Sequence, residues 1–214
     1  MGARVQSFGA GETALILAAE RLFAERGIEG VALRQINQAA NQKNMSAAHY
    51  HFGSRDGLVN AVLQYRLPEL DARRRELLGR NVAVKDIRFY LEAFIAPLVA
   101  ELQPREEGNH YIRFMQQYER FRGSYDFVRE LTPASVEIYA GLEGLISYLP
   151  PEISRLRIGY MINMIHSVLA TAEERLATGE VLFGDVELIA SNLIDMIAAS
   201  LTAPLSADTI QKLA

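Results

Sequence analysis

Apolar positions recur along this chain at helical spacing, and almost nowhere with the alternation of a strand. Leu15, Ile16, Ala19, Leu22 and Phe23 predict a first helix over residues 12–25, with Gly27 as its stop. A short loop leads to a second helix over 33–40, ended at Asn41. A turn and a short third helix reach Tyr50, and Gly53 breaks it. Ser54 then reads as an N-cap, and Asp56 opposes the positive end of the helix dipole. The fourth helix so started extends to about residue 80, with a kink expected at Pro68. Further helices are predicted over 85–102, 109–122, 133–148, 152–178 and 185–202, with a short last one from Ser206. The breaks between them are "ELQPREEGN", "YLPPEIS" and "TGEVLFGD". The expected fold class is all-α. A three-helix unit (10–56) is followed by a connecting helix (57–80) and a larger helical body (81–214).

Two short helices joined by a tight turn, after a longer helix, suggest a helix-turn-helix within "LRQINQAANQKNMSAAHYHF", residues 33–52. Leu33 and Ile36 would face the first helix. Ala39 and Ala40 are small where helices pack closely. Asn41 sits where the chain reverses, and Asn tolerates the left-handed conformation. Ala47, Ala48 and Tyr50 would carry the second helix of the motif, the one expected to enter a DNA major groove.

The stretch "ILAAERLFAERGIEGVALRQINQAA…YHFGSRDGLVNAVL" resembles the DNA-binding domain of the TetR/AcrR family of bacterial regulators over residues 12–65. The resemblance implies a homodimer with a helix-turn-helix unit and a ligand-binding, dimerising body. It also implies repression of a palindromic operator, relieved by a small apolar ligand. Arg34, Ser46, Ala47, His49 and Arg55 match DNA-contacting positions of that pattern, and Gln35, Asn44 and Tyr50 complete the candidate contact set. Arg34 can offer a bidentate fork to guanine, and Arg55 beside a helix start can hold a phosphate. Phe52, and with it Tyr50, is expected to pack into the small domain. The chain departs from the family pattern at Asn37, where Ala is common, and at Asn41, where Gly is common. It is also slightly longer between Ala40 and Phe52. The "YHFGS…RDGLVNAVL" run further resembles a subgroup that includes regulators of lipid metabolism, which makes a lipid-like ligand the expectation.

Charge narrows the picture without changing it. The 214 residues carry a formal net charge of −4, which argues against indiscriminate coating of nucleic acid but leaves room for a local contact. Absence of Cys removes thiolate metal sites and cysteine nucleophiles, and fits a reducing cytoplasm. No secretory signal is visible, and no uncharged run reaches the roughly 18 apolar residues of a membrane span. His49 and His51, two apart on a helix, face different ways and cannot readily share a metal. No metal or other cofactor is expected. His51 is assigned a structural hydrogen bond. Arg73, Arg74 and Arg75 in "DARRREL" are read as a solvated face shared with Asp71 and Glu76.

In the body, Phe94, Tyr111, Phe114, Met115, Tyr118 and His166 are the candidate ligand-binding residues, with Arg113, Gln117 and Asn163 as further polar anchors. By periodicity alone these stripes are ordinary core. The last two long helices are apolar on more than one side, so a partner surface between two copies is expected there. Two other classes compete: an enzyme on an apolar substrate, for which no nucleophile–base spacing or phosphate loop is present, and a lipid-carrying module that no longer uses its helix-turn-helix.

Overall fold

The structure, a computed structural model, describes residues 7–103, 109–121, 126–182 and 184–213. Among these residues it contains helices and no strand. In chain order they are α1 (Ala10–Arg26), α2 (Leu33–Ala39), α3 (Ala47–Phe52), α4 (Arg55–Leu78), α5 (Ile87–Ala100) and α6 (Tyr111–Phe121). Then come α7 (Asp126–Leu131), α8 (Pro133–Leu145), α9 (Pro151–Thr178), α10 (Val186–Thr202) and α11 (Ala207–Gln211). Helix α7 was not expected, and α8 stops short of residue 148. Arg122, Phe183 and residues 104–108 of the "ELQPREEGN" break lie outside the described residues.

Local chemistry explains the boundaries. Gly27 ends α1 at a φ of 75°, and Asn41 adopts a φ of 51° after α2, the left-handed turn its side chain tolerates. The Ser54 hydroxyl accepts the Gly57 N–H at 3.0 Å and caps α4. Asp86 and Asp185 cap α5 and α10 in the same way, accepting N–H groups at 2.8 and 2.7 Å. Helix α4 continues through Pro68 as one element.

Helix α1 packs on α4 and α6, α6 packs on α9, and α5 packs on α4, α8 and α10. A Cβ added at Gly141 of α8 would lie 2.2 Å from Tyr90 Cζ, so a side chain there would push the Tyr90 ring aside. Two polar ties brace the frame. Arg66 of α4 donates to both carboxylate oxygens of Glu20 on α1, at 2.6 and 2.8 Å. Glu173 of α9 accepts the N–H groups of Ile112 and Arg113 at 3.0 and 3.1 Å, and Arg113 Nε at 3.0 Å.

Several expectations for the body need correction. Phe114 and Tyr118 do not line the cavity of the body. Phe114 stacks toward Phe23 of α1, with centroids 6.3 Å apart, and toward Tyr118 at 6.4 Å. The reason is rotation about α6. Tyr111 and Met115 form one i,i+4 pair, Phe114 and Tyr118 another, and the second turns to the seam with the N-terminal unit. The "DARRREL" arginines are not one solvated face either. Arg73 pairs with Glu69 and Glu101, and Arg75 pairs with Asp71. Arg74 is 3% exposed and points inward.

Because Phe114 fills the seam, Phe114→Ala is expected to lower unfolding stability by about 3–5 kcal/mol, measured by denaturant titration. A near-neutral result would show that the seam is not packed this way.

Candidate nucleic-acid interface and ligand cavity

The turn between α2 and α3 is organised by one buried side chain. Asn37, 1% exposed, donates its amide to the carbonyls of Leu33 (3.1 Å) and Met45 (2.7 Å). Its own oxygen accepts the Ala48 N–H at 2.8 Å. One amide thus ties α2 to the end of the turn and to the first turn of α3. Sequence reasoning noted Asn37 only as a departure from a family pattern. A polar residue on the inner face of an otherwise apolar helix was the available signal.

Around this support, the α2–turn–α3 surface is open. Arg34, Lys43, Asn44, Ser46, His49 and Tyr50 are all exposed. Tyr50 is 81% exposed, so it does not pack into the domain as expected; its neighbour Phe52 does. The final turn of a six-residue helix has one inward direction, and Phe52 occupies it. Ala47 is 6% exposed and belongs to the core, which withdraws its methyl group from the outer surface. Gln35 accepts the Ala32 N–H at 2.8 Å, and Asn44 accepts the Ser46 N–H at 2.9 Å, so each is partly committed to its own backbone. No carboxylate occurs between Glu29 and Asp56, in a chain whose net charge is −4. Lys43, which the sequence reading did not select, adds a cation to the turn.

Two flanking side chains brace the unit. His51 Nδ1 lies 3.3 Å from Glu12 Oε1 of α1. Arg55 Nε donates to the Val31 carbonyl at 3.1 Å, leaving the terminal nitrogens for an outer partner. A Cβ on Gly57 would sit 2.0 Å from the Phe52 carbonyl oxygen, so the start of α4 touches the backbone of α3 directly.

A cavity of about 340 Å³ lies in the body, within the range of small-molecule sites. Helix α4 supplies Leu67 and Arg74, α5 supplies Phe94, and α6 supplies Tyr111 and Met115. Ser135 and Tyr139 come from α8, and Ile158, Ile162 and His166 from α9. Four of the six sequence candidates therefore meet here: Phe94, Tyr111, Met115 and His166. His166 is hydrogen-bonded to Glu119. Arg113 and Gln117 open on a different hollow beside α1, and Asn163 is exposed on the outer side of α9, so none of these three anchors the cavity. Helical phase again decides: Asn163 is three residues from His166 but on an outward stripe with Leu156 and Tyr160.

This geometry defines a helix-turn-helix protein with a separate cavity-bearing helical body. Residues 15–62, the N-terminal unit, match the family model for bacterial regulatory proteins of the tetR family. It is 35% identical over 83 residues to the HTH-type transcriptional repressor KstR2 of Rhodococcus jostii, a match spanning 39% of each chain. The fold is similar to that of the fatty acid degradation regulator FadR from Bacillus halodurans, with a TM-score of 0.59, 13% identity and 92% and 99% of the two chains covered. It is also similar to NalD of Pseudomonas aeruginosa, the secondary repressor of the MexAB-OprM multidrug efflux pump, with a TM-score of 0.50, 20% identity and coverage of 91% and 98%.

Asn37→Ala is expected to strip partners from the Met45 carbonyl and the buried Ala48 N–H, costing about 1–3 kcal/mol. Amide hydrogen exchange should show Ala48 losing protection while α4 keeps it. Unchanged exchange at Ala48 would remove Asn37 from this role.

Proposed function

We propose that the protein is a sequence-specific DNA-binding transcriptional regulator, a homodimeric repressor released when a small ligand fills the cavity beside α4. The carrying observation is the exposed, carboxylate-free α2–turn–α3 surface on an otherwise acidic chain. A protein of net negative charge gains nothing from general attraction to phosphates, so its affinity must come from a local match to the groove. Arg34 reads a base edge. Lys43, His49, Tyr50 and the free end of Arg55 hold the backbone, with Asn44, Ser46 and Gln35 at the margin. The repressor name carried by KstR2 supports this reading for the matched segment. The regulator of fatty acid degradation shares only the fold, and its ligand is not carried over.

Helix α4 is the natural transmitter. Its first turn abuts α3, and its later turns contribute Leu67 and Arg74 to the cavity. A ligand that fits one arrangement of α4 better than another shifts the recognition helices by its differential affinity, typically about 1–3 kcal/mol, and DNA must weaken the ligand by the same factor. Dimerisation uses α9 and α10, where Leu156, Tyr160, Leu188 and Met196 are exposed apolar side chains. The two helices are tied by Arg157, which donates to the Leu201 and Ala203 carbonyls at 2.7 and 2.6 Å. No helix among the described residues is long and apolar enough to cross a membrane.

Selection of bound genomic fragments should return a palindrome, and binding to it should fall with salt. Arg34→Ala is expected to cost about 1–3 kcal/mol and to relax preference at one base pair per half-site. Retention of full sequence preference would remove Arg34 from base contact, and failure to recover any preferred sequence would remove the regulator reading. Sedimentation at micromolar concentration should give a dimer, and Tyr160→Glu should shift it to monomer. A wild-type monomer would sink the dimer assignment.

A further inference from the structure

The cavity holds a cation with little to balance it. Arg74 is 3% exposed, and its Nη1 donates to the Ser135 hydroxyl at 2.9 Å. Its guanidinium carbon stands 4.2 Å from the centroid of the Phe94 ring. Nε is buried without a hydrogen-bond partner. Among the described residues, no carboxylate comes within ion-pair distance of it. Asp71, one turn earlier on α4, is engaged elsewhere: it accepts the N–H groups of Ala134 and Ser135 at 2.9 and 3.3 Å and pairs with Arg75. Glu119 is bonded to His166. Glu143 and Arg129 also line the cavity, both as exposed residues. Burial pulls the guanidinium below its ordinary value, and Tyr139, Tyr111 and Asp71 only partly offset this.

A buried guanidinium without an ion-pair partner is costly, because one hydroxyl and one ring replace only part of its lost hydration. Arginine cannot escape the cost by releasing its proton as lysine can. Its remaining N–H groups form a planar fork whose best complement is a carboxylate. Beside it, Phe94, Met115, Ile158 and Ile162 give the wall an apolar stretch.

Building on the ligand-responsive reading above, we propose that the cavity binds a compact organic acid, its carboxylate seated on Arg74 and Ser135 and its apolar body among Phe94, Met115, Ile158 and Ile162. The buried guanidinium carries one positive charge, which matches one carboxylate better than a phosphate dianion. The small volume, about 340 Å³, excludes bulky acids. Seating the charge on α4 also places the ligand's strongest contact on the helix that abuts α3.

The test compares acids with their uncharged isosteres. Octanoate and 4-phenylbutanoate, each paired with its primary amide, are titrated by calorimetry into the purified dimer at pH 7, without DNA. At least one acid should bind about tenfold or more tighter than its amide, since each tenfold step is about 1.4 kcal/mol and charge-assisted bonds reach that size. Arg74→Met should abolish the preference, so that acid and amide bind alike, and Arg74→Lys should restore only part of it, having charge without the fork. Equal affinity for acid and amide in the wild type, no binding of either acid, or an Arg74→Met protein that keeps the preference would each overturn the proposal. If Arg74→Met does not fold, the wild-type comparison decides alone. Operator binding of the ligand-free protein is measured separately. Its absence would overturn the regulator reading and leave the acid site standing, whereas release by an uncharged ligand alone would do the reverse.

Discussion

Arg66 of α4 grips Glu20 of α1 with both arms of its guanidinium, and Glu101, just past α5, lies 3.9 Å from its remaining nitrogen. All three groups are buried. Burial pulls the guanidinium down, but Glu20 and Glu101 together push it further up, so it stays charged. Such an array contributes less to net stability than its Coulomb attraction suggests, because three groups leave water to form it. Its value is geometric. A bidentate fork admits one register between two helices, and here it fixes α4 against the helix that carries the recognition unit and against the body at once. The Phe23–Phe114 contact and the Glu173 clamp on α6 are then apolar and polar versions of the same attachment, made from the other side of α1 and α6.

Once α4 is fixed, the two regions of interest follow from its length. Its N-terminal turn meets α3, its middle meets α1, and its later turns meet the cavity. None of the residues that line the cavity belongs to the exposed α2–α3 surface. The two regions share one rod. That arrangement supplies a physical connection between two sites, the first requirement for coupling them, without requiring a chain of contacts through the core.

Most of this was legible in the sequence. Helical periodicity gave the elements, and the caps at Ser54, Gly27 and Asn41 gave the boundaries of the N-terminal unit, because each residue acts on its immediate neighbours. The failures share a cause. Whether Tyr50 or Phe52 turns inward, and whether Tyr111 or Phe114 faces the cavity, depends on rotation by a fraction of a turn, which neighbouring helices set. Arg74 was the deepest miss. In "DARRREL" it is one of three identical residues, and only the third dimension separates the buried one from its solvated neighbours. Asn37 was visible as an oddity but not as a support, since its partners at Met45 and Ala48 are eight and eleven residues away.

The backbone contact at Gly57 has a mechanical consequence. With no side chain between the Phe52 carbonyl and the first turn of α4, there is no compressible layer at that joint, and α3 must follow whatever α4 does. At about 1.5 Å rise per residue, the 19 steps from Arg55 to Arg74 make a lever of about 28 Å. A pivot of about 5° at the cavity end sweeps the far tip through about 2–3 Å. The stiffness of one glycine hinge thus sets the gearing between a small displacement deep in the body and the position of a helix at the opposite end of the molecule.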